Sequence, residues 1–145
     1  MRNRPLAFLT LAGIALAMNG CGISEPSELL GDFDWLELEG VEATETSDIA
    51  VLGGNMVIFV GEFSTPTACY KLVPEARSKG ATATLTIAAR LMKSSTCAER
   101  AGAYRYQGSM QVRGDARELK VIHKVEDGES TEHLHPFDEL DEEES

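Results

Sequence analysis

The sequence predicts an all-β fold, a small antiparallel β-sandwich or barrel, on three observations. Several short stretches alternate apolar and polar residues with a period of two, which turns one side of an extended chain inward and the other toward water. These stretches follow one another closely, separated by turn residues such as Gly53-Gly54-Asn55 and Gly114-Asp115. Windows with helical periodicity are few between residues 49 and 126, the stretch that reads as the β domain.

Taken in order, Phe33 to Glu39 alternates loosely, with Leu36 and Leu38 against Glu37 and Glu39, and makes a first strand. Trp35 within it is the lone tryptophan, a core or edge-packing residue by type. Val41 to Asp48 is a polar, acidic connector. Met56 to Phe63 (MVIFVGEF) is a dense apolar run whose length and β-branched content favour a buried strand, with Gly61 marking a bulge. Ala68 to Val73, bracketed by Pro66 and Pro74, reads as an edge or crossing strand, and Glu75 to Gly80 as a polar turn.

Ala81 to Leu91 carries the clearest alternation. Ala83, Leu85, Ile87, Ala89 and Leu91 share one face, and Thr82, Thr84, Thr86 and Arg90 the other. Ala103 to Arg113 repeats the pattern, with Tyr104, Tyr106, Met110 and Val112 on one face and Gly108 allowing a bend. Glu118 to Val125 places Leu119, Val121, His123 and Val125 together, with Ile122 out of pattern. The strand pattern resembles immunoglobulin-like modules of secreted bacterial proteins in architecture alone. The immunoglobulin order of Cys, Trp and Cys is absent, because Trp35 precedes both Cys69 and Cys97.

The flanks differ from this body. Arg2 and Arg4 precede an apolar run from Leu6 to Met18, which ends at Asn19-Gly20-Cys21. A basic start, a short apolar middle and a small residue before a cut are the parts of a secretory signal. The run is shorter than the roughly 20 residues a membrane span needs. Ala17-Met18-Asn19-Gly20-Cys21 resembles the lipobox of bacterial lipoproteins: Gly20 and Cys21 match, Met18 stands for the usual Leu, and Asn19 departs from the pattern. The resemblance covers the signal alone. It implies cleavage of residues 1–20, lipid on Cys21, and a palmitate-type anchor in the cell envelope. Gly22, where an Asp is missing, implies the outer rather than the inner membrane in a Gram-negative cell. One acyl chain holds a protein only reversibly, whereas two give stable tethering. Residues 21–48 then form a lipidated acidic tether that includes the first strand, and residues 127–145 an acidic, disordered tail.

Charge follows the same division. The formal net charge of −11 hides nine acids and no base from Gly22 to Asp48, and ten acids and no base from Glu126 to Ser145. Ile49 to Val125 carries five acids and eleven bases. Arg90, Arg105, Arg113, Arg117, Lys120 and Lys124 fall on outward positions or in an adjoining loop, which suits an anionic envelope partner or a protein. They also suit a soluble sheet with blunted edges. An envelope address argues against nucleic acid. A further expectation is that the acidic tail folds back over the basic face.

With Cys21 assigned to lipid, Cys69 and Cys97 remain, and an even pair in an exported chain reads as a disulfide. Closing about 29 residues stabilises by roughly 3–4 kcal/mol in the chain-entropy model.

Chemistry has few footholds. No serine stands in a GxSxG or SxxK context, and Gly53-Gly54 does not lie between a strand and a helix as a phosphate loop would. His133 and His135 form an HxH pair among acids, a weak metal-ligand signal in a segment expected to be disordered. No other metal site and no cofactor are expected. His123 on a strand reads first as a partly buried structural residue. The function that fits is a non-catalytic binding or structural module. A small hydrolase with His123 as its base is the competing class, and a protease inhibitor using the Met92–Arg100 loop is a third.

Overall fold

A computed structural model of the 145-residue chain describes residues 29–93, 97 and 99–138. Cys21, the signal and the start of the tether lie outside the described residues. Eight strands run in chain order: β1 (Leu30–Glu37), β2 (Thr46–Leu52), β3 (Met56–Thr65), β4 (Tyr70–Lys79), β5 (Thr82–Leu91), β6 (Gly102–Gln111), β7 (Glu118–Val125) and β8 (Ser130–Pro136). They form two four-stranded sheets, ordered β1-β6-β3-β2 and β4-β5-β7-β8. The fold is therefore a sandwich and not a closed barrel. At one side β1 lies beside β4, and at the other β2 lies beside β8.

The alternation of β5, β6 and β7 is what builds the core. Ala83, Leu85, Ile87 and Ala89 of β5 are fully buried, as are Leu119 and Val121 of β7. Tyr104, Tyr106 and Met110 of β6 meet Val57, Phe59 and Phe63 of β3 in the same interior. Burying each of these large apolar side chains contributes about 1.5–3 kcal/mol, so the sandwich rests mainly on these four central strands. Leu91, at the end of its run, is instead half exposed. Two tyrosines of β6 also reach across the interior. The Tyr70 backbone N–H donates to Tyr104 Oη at 3.2 Å, and Tyr106 Oη reaches β7.

The disulfide expected between Cys69 and Cys97 is present, with Cα atoms 5.3 Å apart, and Cys69 is buried. Of the Met92–Arg100 loop, Cys97 is thus pinned to the core, and Arg100 pairs with Glu37 of β1 at 2.5 Å.

Several expectations are corrected. The 126–145 segment is not wholly a solvated tail: Ser130–Pro136 forms β8, paired antiparallel with β7 from Glu118↔Pro136 to Lys124↔Ser130. Asp127, at φ 58°, and Gly128 close the hairpin, with the Gly128 N–H donating to the Val125 carbonyl at 3.0 Å. Ser130–Pro136 of the expected tail therefore extends the sheet at its edge. Residues 139–145 lie outside the described residues. Thr46–Leu52, read partly as a connector, is β2, joined to β3 through Gly53-Gly54-Asn55. Glu75 to Lys79 continues β4 in register with β5, and Pro74 is tolerated because β4 is an edge strand. Pairing is not all antiparallel. β5 and β7 run parallel, because β6 between them belongs to the opposite sheet. Gly61 marks no bulge, since β3 stays in register with β6 throughout. The irregularity lies instead in β1, between Leu30 and Phe33, opposite Gly108 and its neighbours.

Candidate functional site at the β2–β8 side of the sandwich

The period of two in β7 turns His123 inward with Leu119 and Val121, and the ring is 2% exposed. It stacks on Phe63 of β3 at 4.6 Å between centroids and 13° between planes, and meets Tyr106 edge-on at 5.4 Å. A buried imidazole needs both nitrogens satisfied. Nε2 lies 2.6 Å from Tyr106 Oη, and Nδ1 contacts Glu45 Oε1. Glu45 stands just before β2 in the opposite sheet. With the carboxylate accepting from Nδ1–H, Tyr106 is the donor to Nε2.

Space for the tyrosine hydroxyl comes from Gly61. A Cβ there would collide with Tyr106 Oη and would sit 2.6 Å from the Thr46 carbonyl oxygen. The glycine is thus explained by close approach and not by a bend.

β8 completes the group. His133 faces inward from β8, with its ring 5.0 Å from that of His123 and Nε2 3.1 Å from Glu45 Oε1. Two residues on, His135 Nε2 lies 2.9 Å from Ser47 Oγ of β2. Ser47 thus holds His135, while Tyr106 and Glu45 hold His123, and Glu45 also meets His133.

Burial holds the His123 pKa below its ordinary value, against the hydrogen bond and negative charge of Glu45, while His133 lowers it further. His135 is lowered too, first by burial and then by His133, against Asp48. Burial also raises Tyr106 well above its ordinary range, against the Ser47 hydrogen bond, with Glu45 and Asp48 adding to the rise.

Glu45 escapes a sequence reading because it lies in a stretch with no periodicity. His133 is expected beside His135 as a chelating pair, yet the fold sets it with Glu45 and His123, while His135 bonds Ser47. An Asp127-Gly128 hairpin after an alternating strand is the local signal that could have found β8, and with it this meeting.

The expected basic face is divided by the fold. Arg90, Lys120 and Lys124 lie on the outer face of the β4-β5-β7-β8 sheet. Arg105 belongs to the other sheet, where it pairs with Glu62, its Nε 2.6 Å from Oε1. Arg113 and Arg117 sit in the β6–β7 connection. The register adds Lys71, Arg77 and Lys79 of β4 to the first face, against Glu75, Glu118 and Glu132. Arg90 pairs with Glu75 at 3.3 Å and Lys120 with Glu132 at 3.8 Å. Arg77, Arg90 and Lys124 border an open concavity on this face together with Glu75, Glu126 and Glu132.

Comparison with known proteins found no matching family model, no matching curated protein and no matching solved structure.

Proposed function

We propose that this chain is a bacterial envelope lipoprotein, anchored through lipid on Cys21, whose β-sandwich is a non-catalytic module that binds an anionic envelope partner. The observation that carries the binding reading is the outer face of the β4-β5-β7-β8 sheet. Across that whole face Lys71, Arg77, Lys79, Arg90, Lys120 and Lys124 outnumber Glu75, Glu118, Glu126 and Glu132. Clustered like charges on a shallow surface attract anions, phospholipid headgroups and acidic glycans among them, with a strength that falls as salt screens them. The non-catalytic part is supported by His123, whose ring is 2% exposed. A general base must come within hydrogen-bond reach of its substrate's proton.

The test separates anchor from surface. Mass spectrometry of the mature protein finds Cys21 as a lipidated N-terminus, and Cys21→Ser releases the chain from the membrane. The released form binds vesicles containing anionic lipid, or an acidic glycan, at low salt. Arg77→Glu with Lys124→Glu abolishes that binding. Equal binding by the double variant removes the surface from the proposal, and a mature N-terminus elsewhere removes the anchor.

A further inference from the structure

The meeting of Glu45, His123 and His133 has a use that the basic face does not supply. It lies at a different part of the sandwich, between the sheets, and stands or falls independently. Two imidazole nitrogens and one carboxylate oxygen, from three separate segments, have ligand atoms all within 4.8 Å of one another. We propose that Glu45, His123 and His133 bind a single divalent transition-metal ion of the zinc class.

The donor set selects the ion. Imidazole suits zinc and its neighbours, whereas calcium and magnesium take oxygen shells. Two histidines and one carboxylate with an open fourth position form a recurrent zinc arrangement. Zinc bonds of about 2.0–2.1 Å in a tetrahedron place ligand atoms roughly 3.3 Å apart. His133 Nε2 and Glu45 Oε1 already stand at 3.1 Å. The two imidazole nitrogens lie within 4.8 Å of each other, and opening Glu45 from His123 Nδ1 falls on the most exposed of the three partners, since the Glu45 side chain is 39% exposed.

The surroundings are also those of a metal ligand. The second nitrogen of a ligating histidine characteristically donates to a neighbouring oxygen that fixes the ring and its tautomer. His123 has that partner in Tyr106 Oη, 2.6 Å from Nε2. Metal at Nδ1 requires Nε2–H, so Tyr106 changes from donor to acceptor, which a rotating hydroxyl allows. Water reaches the fourth position through the open cleft lined by Glu45, Thr65, His123, Glu129 and Thr131. The ion would clasp the entrance of β2 in one sheet to β7 and β8 in the other, at a side where both outer strands are only seven residues long.

The test is isothermal titration of zinc into the full chain, made without a histidine tag. One saturable site is expected. Glu45→Gln and His133→Ala weaken it by at least about tenfold, and so does Tyr106→Phe, through loss of the oriented ring. His135→Ala leaves the affinity within about twofold, since His135 bonds Ser47 and is not a ligand. Glu45 and His133 are partly exposed, so these variants keep the core; circular dichroism checks this, and His133→Gln replaces any variant that fails to fold. The absence of a saturable site in the natural sequence overturns the proposal. So does a site lost in His135→Ala and kept in Glu45→Gln, which would mark simple chelation by the HxH pair.

Discussion

Gly61→Ala isolates the packing on which the polar network depends. The added methyl would meet Tyr106 Oη, lie 2.5 Å from the Tyr106 Cζ, and lie 2.6 Å from the Thr46 carbonyl oxygen. Backbone on one side and a buried ring on the other leave little room to yield. Overpacking of this kind costs about 1–3 kcal/mol. Replacing glycine in a strand returns roughly 0.5–1 kcal/mol of backbone entropy. With ring and backbone both in the way, the cost falls in the upper half of that range, about 2–3 kcal/mol, and the net expected loss is about 1–2.5 kcal/mol. With a urea m-value of about 2 kcal/mol/M, the midpoint falls by roughly 0.5–1.3 M at unchanged m. Tyr106→Phe removes the nearest obstacle, the hydroxyl, and leaves the ring. In a double-mutant cycle, Gly61→Ala should therefore cost less in the Tyr106→Phe background, with a coupling of at least about 0.5 kcal/mol. A neutral Gly61→Ala, or zero coupling, would show that Gly61 does not make room for the Tyr106 hydroxyl.

Three further outcomes are expected. Replacing Cys69 and Cys97 together by alanine lowers stability by about 3–4 kcal/mol, through the entropy of an unclosed loop of about 29 residues; a loss below about 1 kcal/mol in urea denaturation contradicts this. Asp127→Val, which forces a β-branched side chain to a φ of 58° in the β7–β8 turn, costs roughly 1–2 kcal/mol, whereas Asp127→Gly is near neutral. Equal thermal midpoints for the two would deny that this turn holds β8 in place. Arg105→Ala, which breaks the exposed cross-strand pair with Glu62, changes stability by less than about 1 kcal/mol. A larger loss in urea denaturation would mean that the pair is a structural part of the sheet.

The legibility of this fold follows burial. β5, β6 and β7 lie inside the sheets, so selection between core and water writes a period of two into Ala83–Ala89, Tyr104–Met110 and Leu119–His123. β2 and β8 are outer strands of their sheets with mostly exposed side chains, and little in Thr46–Leu52 or Ser130–Pro136 has to be apolar. Their evidence is in the turns instead, Gly53-Gly54-Asn55 and Asp127-Gly128. β4 hides behind Pro74, which reads as a stop although an edge strand accepts it. The parallel β5–β7 pair is not local information at all, because the chain visits the other sheet between them.

The candidate site is less legible than the fold for the same reason. His123 is visible as the polar member of an alternating apolar face. Its partners sit 78 and 10 residues away in sequence, in segments with no periodicity of their own. Glu45 looks like one acid among the nine between Gly22 and Asp48. Only the juxtaposition of β2 and β8 across the sandwich makes it a partner of His123 and His133.

The metal site proposed at this juxtaposition has three protein ligands. X-ray absorption at the zinc edge, on the His135→Ala variant loaded with one equivalent, tests it most directly. Two imidazoles with a carboxylate oxygen and one further oxygen, in a four-coordinate shell at about 2.0–2.1 Å, is the expected result. A shell with one imidazole or none, or six oxygens, would contradict it.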